Sequence, residues 1–124
     1  MTAYGRAANL WEELHDPAAG TAYCNRSGSL LNLEKVEEAA QDLERAMRIA
    51  EGIELPQLTA LCMLQRARLL WATEGATPKE IARLLISARD AFAAIGDFEQ
   101  VKRVNRILED VEPYLQSASE EARE

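Results

Sequence analysis

Histidine is nearly absent from this chain and cysteine is rare: one His and two Cys in 124 residues. A histidine-based catalytic dyad or a His/Cys metal cluster needs more partners than this supply offers. His15, beside Asp16 at a break between two helical patterns, reads as an exposed cap or loop residue with no nucleophile or ligand near it. Cys24 and Cys62 fall in separate helical patterns rather than in a close metal-type pair. Their expected state is two reduced, partly buried thiols. A disulfide or a redox role is the alternative. Glycine is scarce as well, and no glycine-rich loop is placed to hold a phosphate. Ser27-Gly28-Ser29 lies inside a helical pattern with no strand before it. Gly28 reads instead as a close helix contact or a local weak point.

Other scarcities narrow the fold and the partners. Val, Ile and Thr are sparse, aromatics make up only 6%, and no stretch alternates apolar and polar residues as a half-buried strand does. No window approaches the roughly 18 consecutive apolar residues of a membrane span. Basic residues are outnumbered, 14 Lys and Arg against 21 Asp and Glu, for a net charge of −7. Bulk charge therefore argues against nucleic-acid or membrane partners. The start, Met1 to Gly5, has no basic stretch leading into an apolar run, so a cytoplasmic location is expected. The pairs Glu12-Glu13, Glu37-Glu38 and Glu120-Glu121 are adjacent. On a helix such neighbours point about 100° apart and do not converge on one atom. No catalytic residue, metal site or cofactor is expected.

What the chain does contain is helix-forming sequence, rich in Ala, Leu, Glu and Arg, with a hydrophobic share of 48%. Six helices are predicted. The first, residues 3–14, has the apolar face Tyr4, Ala7, Ala8, Trp11 and Leu14. Asp16-Pro17 caps and opens the second, residues 17–31. The third, 33–52, carries the clearest stripe, from Val36 through Leu43 and Ala46 to Ile53. Pro56 opens the fourth, 56–73, which is apolar on most sides and ends at Gly75. Thr77-Pro78-Lys79-Glu80 is a capping box for the fifth, 78–94. The sixth, 98–115, has one narrow stripe from Phe98 to Leu115 and is ended or bent by Pro113. A polar tail, 116–124, follows.

The helices repeat. Asn25-Arg26, Gln65-Arg66 and Asn105-Arg106 recur 40 residues apart. Around them Cys24, Leu64 and Val104 coincide, as do Thr21, Leu61 and Val101. The intervening helices match at a step of 42: Leu43 with Leu85, Ala46 with Ala88, Ala50 with Phe92. Such a period signals a helical-repeat array, each unit burying its apolar face on the next. The expected layout is one domain over 1–115. It holds a half-repeat at 3–14, repeats at 17–53 and 56–95, and a capping helix at 98–115.

This pattern resembles the tetratricopeptide family in its longer, roughly forty-residue form. The residues that carry the likeness are the small Ser27 and Ala67 in the first helices and Ala39, Leu43 and Ala46, then Ile81, Leu85 and Ala88, in the second. The chain departs from the family at Arg26 and Arg66, where an apolar residue is usual, and at Ile107, where a small one is. The resemblance implies an all-α, right-handed solenoid whose first helices line a concave groove for a peptide. On that basis Asn25, Gln65 and Asn105 are expected to grip a peptide backbone. Arg26, Arg66, Arg68 and Arg106, with Arg103, are expected to favour an acidic or C-terminal carboxylate segment. The alternative is that the amides satisfy loop carbonyls and the arginines pair with Glu across the repeat. At the level of function the expectation is an interaction module or adaptor binding a peptide or helix of a partner. The competing expectation is self-association through the N-terminal helix, as a homodimer or as part of a larger regulator.

Overall fold

A computed structural model describes residues 15–123, the side chains as far as Leu115. The described residues are all-helical: α1 (Pro17–Asn32), α2 (Val36–Gly52), α3 (Pro56–Thr73), α4 (Pro78–Ala94) and α5 (Phe98–Arg123). The helix predicted over 3–14, with Tyr4, Trp11 and the self-association surface assigned to it, lies outside the described residues.

Three helices open on a proline at their first turn, where its missing N–H costs no hydrogen bond. Asp16 caps α1 by accepting from Ala18 N at 3.0 Å, and Thr77 caps α4 by accepting from Glu80 N at 3.2 Å. Three of the helix ends share one device. After α1, Lys35 N donates to Leu30 O and Glu34 N to Leu31 O, with Glu34 in the left-handed region at φ 61°. After α3, Gly75 N donates to Leu70 O and Glu74 N to Trp71 O, with Glu74 at φ 54°. After α4, Asp97 N donates to Phe92 O and Gly96 N to Ala93 O, with Gly96 at φ 76°. Each is a Schellman closure, which satisfies the last free carbonyls of its helix.

Two boundaries differ from expectation by more than a residue. The second described helix starts at Val36 rather than at residue 33, because residues 33–35 complete the closure of α1. α3 ends at Thr73 as expected, and within its closure Glu74 rather than Gly75 takes the left-handed conformation. Pro113 does not end α5, which runs on to Arg123 through the segment read as a polar tail. A proline there removes only the bond its own N–H would give to Glu109 O. Glu109 and Pro113 are both exposed, so water can take that carbonyl.

Packing follows chain order. α1 packs on α2, α2 on α3, α3 on α4 and α4 on α5, and α1 also packs on α3. Contacts of Ser27 with Ala39, Arg26 with Asp42, and Tyr23 with Arg45 show α1 and α2 antiparallel. α1 and α3 run parallel, since Gly20 lies against Leu58 and Gly28 against Gln65. These glycines allow the approach: a Cβ on Gly20 would come within 2.6 Å of Leu58 Cδ2, and one on Gly28 within 2.6 Å of Gln65 Nε2. The core fills the layers between. Cys24, Leu64 and Val104, equivalent by the 40-residue step, are each 0% exposed. So are Ala46, Leu85, Ala88 and Phe92, with Leu43 nearly so. Burying a side chain such as Leu85 or Phe92 contributes about 2–3 kcal/mol.

Candidate functional site

Arg68 sits on α3 half-buried, with its guanidinium held from two sides. Nη1 donates to Gln65 Oε1 at 2.9 Å, one turn back on the same helix. Nη2 donates to Asn32 Oδ1 at 2.7 Å, from the last residue of α1. Both acceptors are neutral amides. Burial and the nearby positive charge of Arg103 on α5 pull the guanidinium below its ordinary pKa. An arginine nevertheless stays protonated at neutral pH. Among the described residues no carboxylate lies within ion-pair distance of Arg68. The result is a fixed, partly desolvated cation beside a second cation. A carboxylate placed there would relieve the repulsion and meet a fork already oriented.

Two adjoining hollows extend from this point. One, of about 240 Å³, is lined by Leu31, Ala67, Arg68, Trp71, Ala72, Ile81, Ile107, Asp110 and Val111. The other, of about 400 Å³, is lined by Trp71, Glu74, Ala76, Pro78, Ile81 and Tyr114. Trp71 and Ile81 line both, so the two hollows adjoin, and together they are termed the groove, between α1, α3, α4 and α5. Trp71 stands edge-on to Tyr114 with ring centroids 4.9 Å apart and planes at 85°, a favourable aromatic geometry. Trp71 is 37% exposed and Tyr114 55%, so each ring offers surface to a ligand. The groove thus joins an apolar and aromatic floor to one oriented cation, with Asp110 and Glu74 on its rim.

The residues expected from sequence to act together are divided by the fold. Gln65 is 2% exposed and spends its carbonyl on Arg68, while its Nε2 faces Gly28. Asn25 and Asn105 are exposed. Arg26 is exposed and ion-paired with Asp42, its Nε 2.6 Å from Oδ2, a contact without hydrogen-bond alignment. Arg45 lies 3.7 Å from the other oxygen of the same buried carboxylate. Arg66 points elsewhere: it lines hollows between α2, α3 and α4 with Met47, Met63 and Leu84. Two residues along a helix do not face the same way, which separates Arg66 from Arg68. At the 42-residue step Asp42 becomes Leu84, so Arg66 has no carboxylate equivalent to the one Arg26 holds. Arg106 is exposed. Of the expected set, Gln65 and Arg68 are brought together, with the charge of Arg103 nearby. Ile107 and Tyr114 add to the lining, and Asn32 holds Arg68 from α1. Sequence pattern marked none of the three as a site residue, since an Asn at a helix end signals only a cap and Ile107 and Tyr114 fall outside the apolar stripe of their helix.

Compared with family models, curated proteins and solved structures, the chain matches none.

Proposed function

We propose that this chain is a protein–protein interaction module of the tetratricopeptide-like kind. In this reading it is a short right-handed solenoid that holds a partner's peptide in the groove over α1, α3 and α5. Arg68 takes a carboxylate of that peptide, a C-terminal one or an acidic side chain. Trp71 and Tyr114 take the apolar residue beside it. The observation that carries the reading is the guanidinium of Arg68, oriented by two neutral amides at the groove floor and left without an anionic partner among the described residues. The parallel course of α1 and α3 also favours it, because stacked repeats align their first helices that way.

The test uses short peptides ending in an apolar residue, with a free or an amidated C-terminus. Binding is followed by tryptophan fluorescence, with Trp71→Phe to assign the signal. Free-carboxylate peptides should bind more tightly than amidated ones, and added salt should weaken them. Arg68→Gln should abolish the difference. Equal binding of both peptide forms would remove the carboxylate role, and no binding of acidic or C-terminal segments would remove the reading.

A further inference from the structure

The two cysteines lie opposite each other on two parallel helices, between the contacts of Gly20 and Gly28. Gly20 meets Leu58 and Gly28 meets Gln65, which sets the register of α1 against α3. Cys24 lies four residues from each glycine, and Cys62 four residues after Leu58. Positions four apart share a helix face. Both side chains are buried in the same core, Cys24 at 0% exposure and Cys62 at 7%. The two thiols lie near enough to influence one another's charge. They differ in access. Cys62 also lines the hollow of about 330 Å³ between α2, α3 and α4, beside Arg66, whereas Cys24 presents no surface to solvent. They also differ in acidity. The Cys24 thiol is raised well above the ordinary range, first by the neighbouring Cys62 sulfur and then by burial. The Cys62 thiol is lowered by the Cys24 thiol beside it.

We propose that Cys62 and Cys24 form an oxidative modification site in which hydrogen peroxide converts the buried dithiol into a disulfide joining α1 to α3. Cys62 is the attacking residue because the thiolate is the nucleophile and a small oxidant reaches it through the hollow. Its sulfur attacks one peroxide oxygen, the O–O bond breaks, and the departing hydroxide takes a proton to become water. Cys62 is then a sulfenic acid. The sulfur of Cys24 gives up its proton and attacks Cys62 Sγ. The S–O bond breaks, and the second hydroxide leaves as water with that proton. Two thiols and one peroxide thus yield one disulfide and two waters, the two electrons passing from sulfur to oxygen. A disulfide needs Cα atoms about 4.4–6.8 Å apart, a spacing between helices that only small flanking residues permit. Gly20 and Gly28, with no Cβ to meet Leu58 and Gln65, leave room for such an approach.

The experiment is intact-mass analysis of the full chain after hydrogen peroxide, with maleimide blocking under denaturing conditions. The untreated chain should take two maleimides. The oxidised chain should take none, weigh two hydrogens less than the reduced chain, run as a monomer on a non-reducing gel, and recover both thiols with dithiothreitol. Cys24→Ser should stop at a Cys62 sulfenic acid that dimedone traps, and Cys62→Ser should leave Cys24 unmodified. Two blockable thiols surviving peroxide in the wild-type chain, or a disulfide between copies, would overturn the proposal. The wild-type arm decides it even if a serine variant fails to fold.

Discussion

Leu85 offers the sharpest check on the helix register, because the same chemical change can be made at a site of opposite burial. Leu85 is 0% exposed, whereas Leu33, at the end of α1, is 66% exposed. Replacing either with Ala removes three carbons. At about 0.8 kcal/mol for each buried carbon, Leu85→Ala forfeits about 2.4 kcal/mol of transfer energy. The vacated space between α4 and its neighbours adds a cavity term, for a total of about 2–5 kcal/mol. Leu33→Ala keeps roughly a third of the transfer term, about 0.8 kcal/mol, and opens no cavity. Urea unfolding followed by far-ultraviolet circular dichroism measures both. With an m-value of about 1.5 kcal/mol per molar, the Leu85→Ala midpoint should fall by roughly 2 M at unchanged m. The Leu33→Ala midpoint should fall by well under 1 M. A Leu85→Ala loss below about half a kcal/mol, or equal losses at the two positions, would mean that α4 does not turn Leu85 into the core.

The same assay separates the three amides of the 40-residue repeat. Gln65→Ala strips Arg68 of one acceptor inside the α1–α3 joint and should cost about 1–3 kcal/mol. Asn25→Ala and Asn105→Ala, both at exposed positions, should stay within about half a kcal/mol of the parent. Three equal losses would contradict the division into one buried amide and two exposed ones. At the start of α4, Thr77→Ala should cost about 1 kcal/mol and Thr77→Ser almost nothing, because serine keeps the oxygen that accepts from Glu80 N. An equal loss in both variants, again read by urea midpoint, would assign the effect to the threonine methyl instead.

Helix identity and core were legible where the signal was local. Asp16-Pro17, Pro56 and Thr77-Pro78 each opened a helix at the residue their chemistry indicates. The repeat overlay found the core at Cys24, Leu64 and Val104 because equivalent positions face equivalent neighbours. Local signals failed where a costly backbone state was retained. Glu34 and Glu74 hold left-handed conformations usually left to glycine, and Pro113 sits within a continuing helix. The site was legible in one part only. Arg68 and its acceptor Gln65 were named from sequence, but Asn32, Trp71 and Tyr114 were not. Whether an amide is buried depends on what crosses it. Gln65 faces a glycine of a helix some forty residues away, while Asn25 and Asn105, at the same repeat position, are exposed. Likewise a single exchange, Asp42 for Leu84, gives Arg26 a buried carboxylate and Arg66 a leucine at the equivalent position.

The order of packing has a kinetic meaning. Every principal pairing joins helices one or two places apart along the chain. No strand must wait for a distant partner, so little loop entropy is lost before contacts compensate for it, and chains with such local contacts fold in microseconds to milliseconds. The first three described helices close a mutually supporting triangle of α1, α2 and α3. α4 and α5 are then added in sequence, α5 resting chiefly on α4. During synthesis the triangle can therefore assemble as soon as Thr73 is clear of the ribosome, before the last two helices exist. In the finished protein the same asymmetry makes α5 the helix that opens at least cost, and α5 forms one wall of the groove.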